Sequence, residues 1–282
     1  GRLLDVLEPA DDADRGFREQ LHDMGDSGYF YRFAIHAFRL GALSQLDWRR
    51  FREELQGVRR EARATENVHT MLAMTLNQFL SDEIAGQPEL SVVRLDQERS
   101  LLPTQRFTVL HILHMTAVLY AACSTGQHAR GFECLTAFWG AFERSPLRRI
   151  WTLRLLAYGA RARLFLNEYV RSSKDPALLQ EAKKSTRAFE AHQRIRLLAR
   201  IAYVQDDRAR ALALLEESAS AYSGLGYEPE VLRDRAAIGL ITGGEQGEEM
   251  TRAAFDKLEQ RYDCRDARRN AQAHFPELLG SL

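Results

Sequence analysis

The chain is short of the residues that punctuate β-structure. Seven prolines and 18 glycines in 282 residues are too few turn formers for a chain of many short strands. Three cysteines, Cys123, Cys134 and Cys264, cannot make a disulfide framework, and their spacing matches no redox pair, so a reducing, cytoplasmic setting is expected. Net charge is missing as well. The 39 basic and 39 acidic residues cancel, which argues against nucleic acid as the main partner. Lysine is confined to Lys174, Lys183, Lys184 and Lys257, so the cationic chemistry is that of arginine, whose planar fork suits carboxylates. The N-terminus has no charged-then-apolar signal segment. One uncharged stretch, Phe107 to Cys123, contains Thr108, His111, His114 and Thr116 and falls short of the roughly 20 apolar residues of a membrane span. It reads as a buried central helix, and no membrane partner is expected. A first residue that is Gly rather than Met is compatible with a piece cut from a longer protein.

What is abundant favours helix. Apolar residues make up 45% and charged residues 28%, and arginine, alanine and leucine, all good helix formers, dominate. Residues 1–24 are acidic and irregular and read as a linker or a lead-in helix. From Ser27, Phe30, Phe33, Ala34, Ala37 and Phe38 follow helical spacing as far as Gly41; Asp47 then caps a helix through Trp48, Phe51, Leu55 and Val58. A helix is expected from Glu66 to Ile84, a shorter one around 89–100 (Val92 and Val93 leave a short strand open there), and a long apolar one opened by Pro103. Ala129 to Phe142 follows, then a helix from Pro146 to Val170, another from Pro176 to about Phe189, and one from His192 to Val204. Asp206 caps a helix to Ser223, Pro229 opens one to Leu240, and Gly243–Gly244 precedes the last, Glu245 to Arg261. Helix pairs recurring every 30 to 45 residues are the period of tetratricopeptide-like arrays, whose units bury their apolar faces only by stacking. The expected fold is therefore all-α, a tetratricopeptide-like α-solenoid of about six helix hairpins over residues 25–282.

Two stretches carry a family resemblance. Residues 198–279, with Gly243, Gly244, Arg268 and Pro276 at its marked positions, resemble the end of the C-terminal helical domain of bacterial eukaryotic-like serine/threonine protein kinases. Residues 138–166 (FWGAFERSPLRRIWTLRLLAYGARARLFL) resemble the central part of the same domain. These motifs are chiefly packing and turn residues, and the likeness covers most of the chain from about residue 26. It implies the sensory or scaffolding region of a signalling protein. The kinase catalytic motifs themselves (glycine-rich loop, HRD-type loop, DFG) do not occur in the sequence. Related helical arrays also end ATPase-coupled transcription regulators, which is the alternative parent.

Candidate chemistry is sparse. His111 and His114 share a helix face at i, i+3, but their surroundings are apolar and no carboxylate or thiol is near in sequence, so they read as core residues. Cys123, His128 and Cys134 lack the spacing of a zinc module. The pairs Glu53–Glu54, Glu216–Glu217 and Glu248–Glu249 are adjacent and diverge on a helix rather than share a proton. No catalytic residue, metal or cofactor is expected. The one pattern that invites a functional reading is doubled: Arg154, Tyr158 and Arg161 lie at i, i+4, i+7, and Arg196, Arg200 and Tyr203 repeat that spacing 42 residues later. If both stripes line a groove, they suit an acidic protein or peptide, or the chain's own upstream kinase domain. The plainer alternative is that these arginines pair with neighbouring glutamates. Tyr29, Phe30, Tyr31 and Phe33 crowd too many aromatics together to face one core, and some are expected to meet a groove or a neighbouring domain.

Overall fold

The computed structural model describes residues 9–10, 12–13, 15, 35–37, 39–172, 174–187 and 191–279. The aromatic cluster at 29–33 and most of the 1–24 segment lie outside the described residues.

Every regular element among the described residues is helical, as the composition predicts. Residues 39–46 are helical, so the first helix runs past Gly41 before Asp47 breaks it. In α1 (Trp48–Ala64) the Asp47 side chain accepts from the Arg50 backbone N–H at 3.1 Å. Its buried residues, Trp48, Phe51, Leu55, Val58 and Ala62, alternate three and four apart and make one apolar stripe. Burying each of the larger ones contributes about 1.5–3 kcal/mol.

The stretch expected as one helix from Glu66 to Ile84 is two, α2 (Val68–Ala73) and α3 (Thr75–Ile84). Glu66 is left-handed at φ 51°, so the start shifts to Asn67, whose side chain accepts from the Thr70 N–H at 2.9 Å. At Met74 the backbone N–H is shared between the Thr70 and Met71 carbonyls, which tightens the turn and separates the helices. Val92 and Val93 lie within a helix, α4 (Pro88–Arg99), because the apolar period there is helical: Ser91 and Leu95 are buried while Val93 is 61% exposed. The apolar helix α5 (Val109–Thr125) starts six residues after Pro103. Thr108 caps it, and the His111 ring accepts the Thr108 backbone N–H at 3.1 Å. Leu110, Ile112, Met115, Leu119 and Ala122 bury every side of α5, which runs through the middle of the molecule against α3, α4 and the helices that follow.

After α6 (His128–Arg144), Pro146 opens a single 3₁₀ turn, Pro146–Arg149, rather than an α-helix; the long helix α7 begins at Trp151 and ends at Arg171. Then come α8 (Pro176–Thr186), α9 (Ala191–Val204), α10 (Arg208–Leu225), α11 (Glu228–Thr242) and α12 (Gly244–Tyr262). Asp207, not Asp206, caps α10, since Asp206 is itself left-handed at φ 67°. The hairpins α7–α8, α9–α10 and α11–α12 pack in series, each on its chain neighbour. At the α11–α12 crossing, a Cβ on Gly239 would sit 2.5 Å from Thr251 Oγ1 and 2.6 Å from the Gly247 carbonyl, so the two backbones meet without room for a side chain.

Two short helices not foreseen in the sequence, α13 (Ala267–His274) and α14 (Pro276–Leu279), turn the chain back on itself. α13 packs on α3, α5 and α11, and α14 on α7, α9 and α11. The start and end of the described chain thereby share one core: Leu40, Trp48, Phe51 and Leu55 pack with Leu232, Ala254, Leu258, Tyr262 and Ala267. Polar contacts reinforce the seam. Arg52 donates to the Asp263 carbonyl at 3.0 Å and carboxylate at 2.8 Å, the Arg265 N–H reaches the Ile84 carbonyl at 3.2 Å, and Arg269 bonds the Gly86 carbonyl and the Glu89 carboxylate.

Candidate functional site: an arginine-lined chamber and an exposed corner

The two stripes singled out by spacing meet different surroundings. On α7, the Tyr158 hydroxyl donates to Glu143 at 2.5 Å and its ring packs edge-on against Trp139. Arg161 donates to the Ser185 hydroxyl at 2.6 Å, pairs with Glu181, and lies 4.8 Å from the centroids of Trp139 and Phe165. Arg154 is half-buried, with no ion pair among the described residues and a buried Nε lacking a hydrogen-bond partner. On α9, Arg196 bonds Asp234 at 2.6 Å, the Glu230 carboxylate, and the Glu230 carbonyl at 2.8 Å, with its guanidinium 4.5 Å from the Tyr222 ring. Arg200 clasps Glu277 with two hydrogen bonds, 2.7 and 2.8 Å, and reaches Asn167 at 2.8 Å. Tyr203 is half-buried. The plainer alternative therefore describes Arg161, Arg196 and Arg200, each of which is engaged by an internal acid.

Arg196 and Arg200 face a partly enclosed chamber of about 250 Å³. Its polar wall comes from five helices: Glu83 on α3, Arg163 on α7, Arg196 and Arg200 on α9, Glu230 and Arg233 on α11, and His274 on α13. Tyr120, Tyr222 and Trp48 add rings, and leucines from α3, α7 and α9 supply the apolar side. Arg163 is tied to the Ala273 carbonyl by Nε at 3.0 Å and Nη2 at 2.5 Å. Arg233 donates to Asn270 at 2.9 Å, pairs with Glu230, and stacks 4.7 Å from Trp48.

The electrostatics follow from burial and pairing. Burial alone would raise the Glu83 carboxyl, but neighbouring His274, the Arg163 charge and the Ser124 hydroxyl hold it at about 2. Glu230 is likewise held at about 2 against burial, by Arg233 and Arg196. Asp234, wholly enclosed, is raised by its burial in spite of Arg196. His274 is pushed down to about 3, first by burial and then by the Arg233 and Arg163 charges. It is neutral at pH 7, with its Nε2 3.7 Å from the Glu83 carboxylate. These shifts sit around a cavity, the setting in which functional groups concentrate.

Arg163, Arg233, Glu83, Glu230 and His274 were not foreseen. A signal existed for some. Glu230, Arg233 and Asp234 lie at i, i+3, i+4 on a helix with apolar residues on every side, so they had no fully polar face to occupy. His274 carried no such signal, because its place depends on where α13 docks.

Outside the chamber, the α6–α7 connection forms a second notable surface. Ile150 and Trp151 are 47% and 42% exposed. Around them Arg144, Arg148 and Arg149 are exposed, and Arg154 lies one turn on. Among the described residues, Arg148 is the one of these four that pairs with an acid, Glu143, at 3.1 Å.

The remaining candidates are structural. His111 and His114 are buried against Phe138, and burial with the Arg99 charge takes His114 to about 4. The three thiols are buried and pushed up by burial, to about 11, 12 and 11 for Cys123, Cys134 and Cys264. Among the described residues there is no cluster of three or more His, Cys, Asp or Glu suited to a metal, and no helix is long and apolar enough to cross a membrane. Comparison with protein-family models, curated proteins and solved structures gives no match in any of the three.

Proposed function

We propose that this chain is a non-catalytic recognition domain that holds an acidic protein segment at the α6–α7 corner. The observation that carries the reading is the combination of exposed Ile150 and Trp151 with Arg144, Arg149 and Arg154, none of which has an ion pair among the described residues. Aromatic and aliphatic side chains ringed by unengaged guanidinium groups suit a peptide that alternates apolar anchors with carboxylates. Arg154 belongs to a stripe that spacing alone identifies, and it is the stripe arginine with no internal partner among the described residues.

A parent protein follows from the resemblance of residues 138–166 and 198–279: the domain is the C-terminal regulatory part of a bacterial serine/threonine kinase, with a tetratricopeptide-like array as its scaffold. Gly243 and Gly244, two of the residues that carry the likeness, have left-handed φ values of 67° and 64° at the α11–α12 turn, and Pro276 opens α14. Flanking coding sequence discriminates the parents. A kinase lobe upstream supports this reading, while an ATPase with a helix-turn-helix module supports a transcription regulator.

The direct test is fluorescence anisotropy with a labelled 12-residue peptide alternating Glu with Leu and Phe, beside its Lys-for-Glu counterpart. The acidic peptide is expected to bind with a steep salt dependence, and Arg149→Glu with Arg154→Glu should weaken it at least tenfold at unchanged helix content. Equal binding of both peptides, or no effect of the double change, removes the proposal.

A further inference from the structure

The chamber offers more hydrogen-bond donors than the protein accepts. Arg163 bonds through Nε and Nη2, Arg200 through Nε and Nη2, and Arg233 through Nε and Nη1. Arg163 Nη1, Arg200 Nη1 and Arg233 Nη2 are left without a hydrogen bond among the described residues, and the Tyr120 hydroxyl is in the same position. These are interior groups: the three arginines are 7%, 3% and 5% exposed. None of these four atoms is sealed from solvent, so they face the chamber's open space, and a molecule that supplies acceptors can replace water on them.

Charge and shape narrow the class. Four carboxylates, Glu83, Glu230, Asp234 and Glu277, answer the four guanidinium groups, so the surplus is of donors and not of net charge. A single negative charge with planar, paired acceptors fits such a site better than a compact dianion, and a carboxylate has that geometry. Facing the polar wall, Leu76, Leu80, Leu155, Leu156 and Leu197 provide an aliphatic surface. At about 30 Å³ for each water in the liquid, the 250 Å³ volume equals about eight waters, room for a carboxylate on a short aliphatic chain.

We infer that the chamber is a binding site for a small organic monocarboxylate, its head on Arg163, Arg200, Arg233 and Tyr120 and its chain along the leucines. The walls come from α1, α3, α5, α7, α9, α10, α11 and α13, so the ligand joins early and late helices of the chain and stabilises their closed arrangement by linkage. The site is separate from the α6–α7 corner, and either can fail without the other.

The experiment is calorimetric titration and thermal unfolding of the full chain with acetate, butyrate, hexanoate, 1-hexanol and inorganic phosphate. Saturable 1:1 binding is expected for butyrate or hexanoate, with a rise in Tm that 1-hexanol and phosphate do not reproduce. Leu156→Trp fills the chamber without removing a charge and should weaken that binding at least tenfold, with the helical circular dichroism and the acidic-peptide affinity retained. Arg233→Lys keeps a cation beside Glu230 but removes the spare nitrogen, and should weaken it also, which covers the case of a Leu156→Trp chain that does not fold. The inference is overturned if no carboxylate saturates, if 1-hexanol matches hexanoate, if phosphate alone binds, or if a folded variant binds as tightly as the original.

Discussion

Two helices carry the same arginine–tyrosine spacing and put it to different uses. On α9 the arginines point inward, where Arg196 answers Asp234 and Glu230 and Arg200 answers Glu277. On α7 the stripe runs along an outer flank, from Arg161 stacked on Trp139 to Arg154, which pairs with no acid among the described residues. Spacing identifies residues that share a face. It does not say what the face meets, because that depends on helices arriving from elsewhere in the chain.

The contrast can be broken most forcefully at Arg200. Arg200→Ala leaves Glu277 and Asn167 buried without their partner and should cost about 3–5 kcal/mol in chemical denaturation, with α14 loosened first. The next effect is one of pH. His274 is held at about 3 against an ordinary 6.5, so between those values the unfolded chain binds the proton and the folded chain does not. Stability therefore falls as pH drops from about 6.5 towards 3, and His114, at about 4, adds to the fall. Glu83 and Glu230, held at about 2, add a further loss below their ordinary 4.5. His274→Gln should flatten the slope of Tm against pH from 6.5 down to about 3, leaving the His114 and carboxylate contributions in place; an unchanged slope between 6.5 and 5 would show that His274 is not its source. Arg161→Ala loses Glu181, Ser185 and the aromatic stack at a partly exposed site and should cost about 1–2 kcal/mol in the same denaturation assay. Arg154→Ala should stay within about 0.5 kcal/mol of the parent and show itself only in peptide binding. A reversal of order between Arg200 and Arg154 would sink the inward-versus-outward distinction.

Local signals reported the helices well. The stripe from Trp48 to Val58, the Asp47 cap and the Gly243–Gly244 break were legible because each depends on a few neighbouring residues. Boundaries moved where a backbone group escaped the pattern, as at Glu66, Asp206 and Pro146. The chamber was half legible: Arg196 and Arg200 stood out, whereas Arg163 lay hidden two residues beyond Arg161, on the opposite side of the same helix. α13 and α14 went unseen because eight and four residues carry little periodicity, and their positions are fixed by docking. The α6–α7 corner was missed for another reason: Ile150 and Trp151 look like ordinary core residues in sequence, and only the 3₁₀ turn before α7 leaves them outside.

The seam between Arg52 and Asp263, 211 residues apart, bears on how the molecule folds. An open row of repeats can nucleate anywhere and fray from its tips, since each unit answers only to its neighbours. Here α1 and the helix before it complete one core with α11 and α12, so these early and late segments do not unzip independently. Closing so long a loop delays the final step relative to a purely local helical array. Once closed, hydrogen exchange should find the protection of α1 and α12 rising and falling together, as for one cooperative unit.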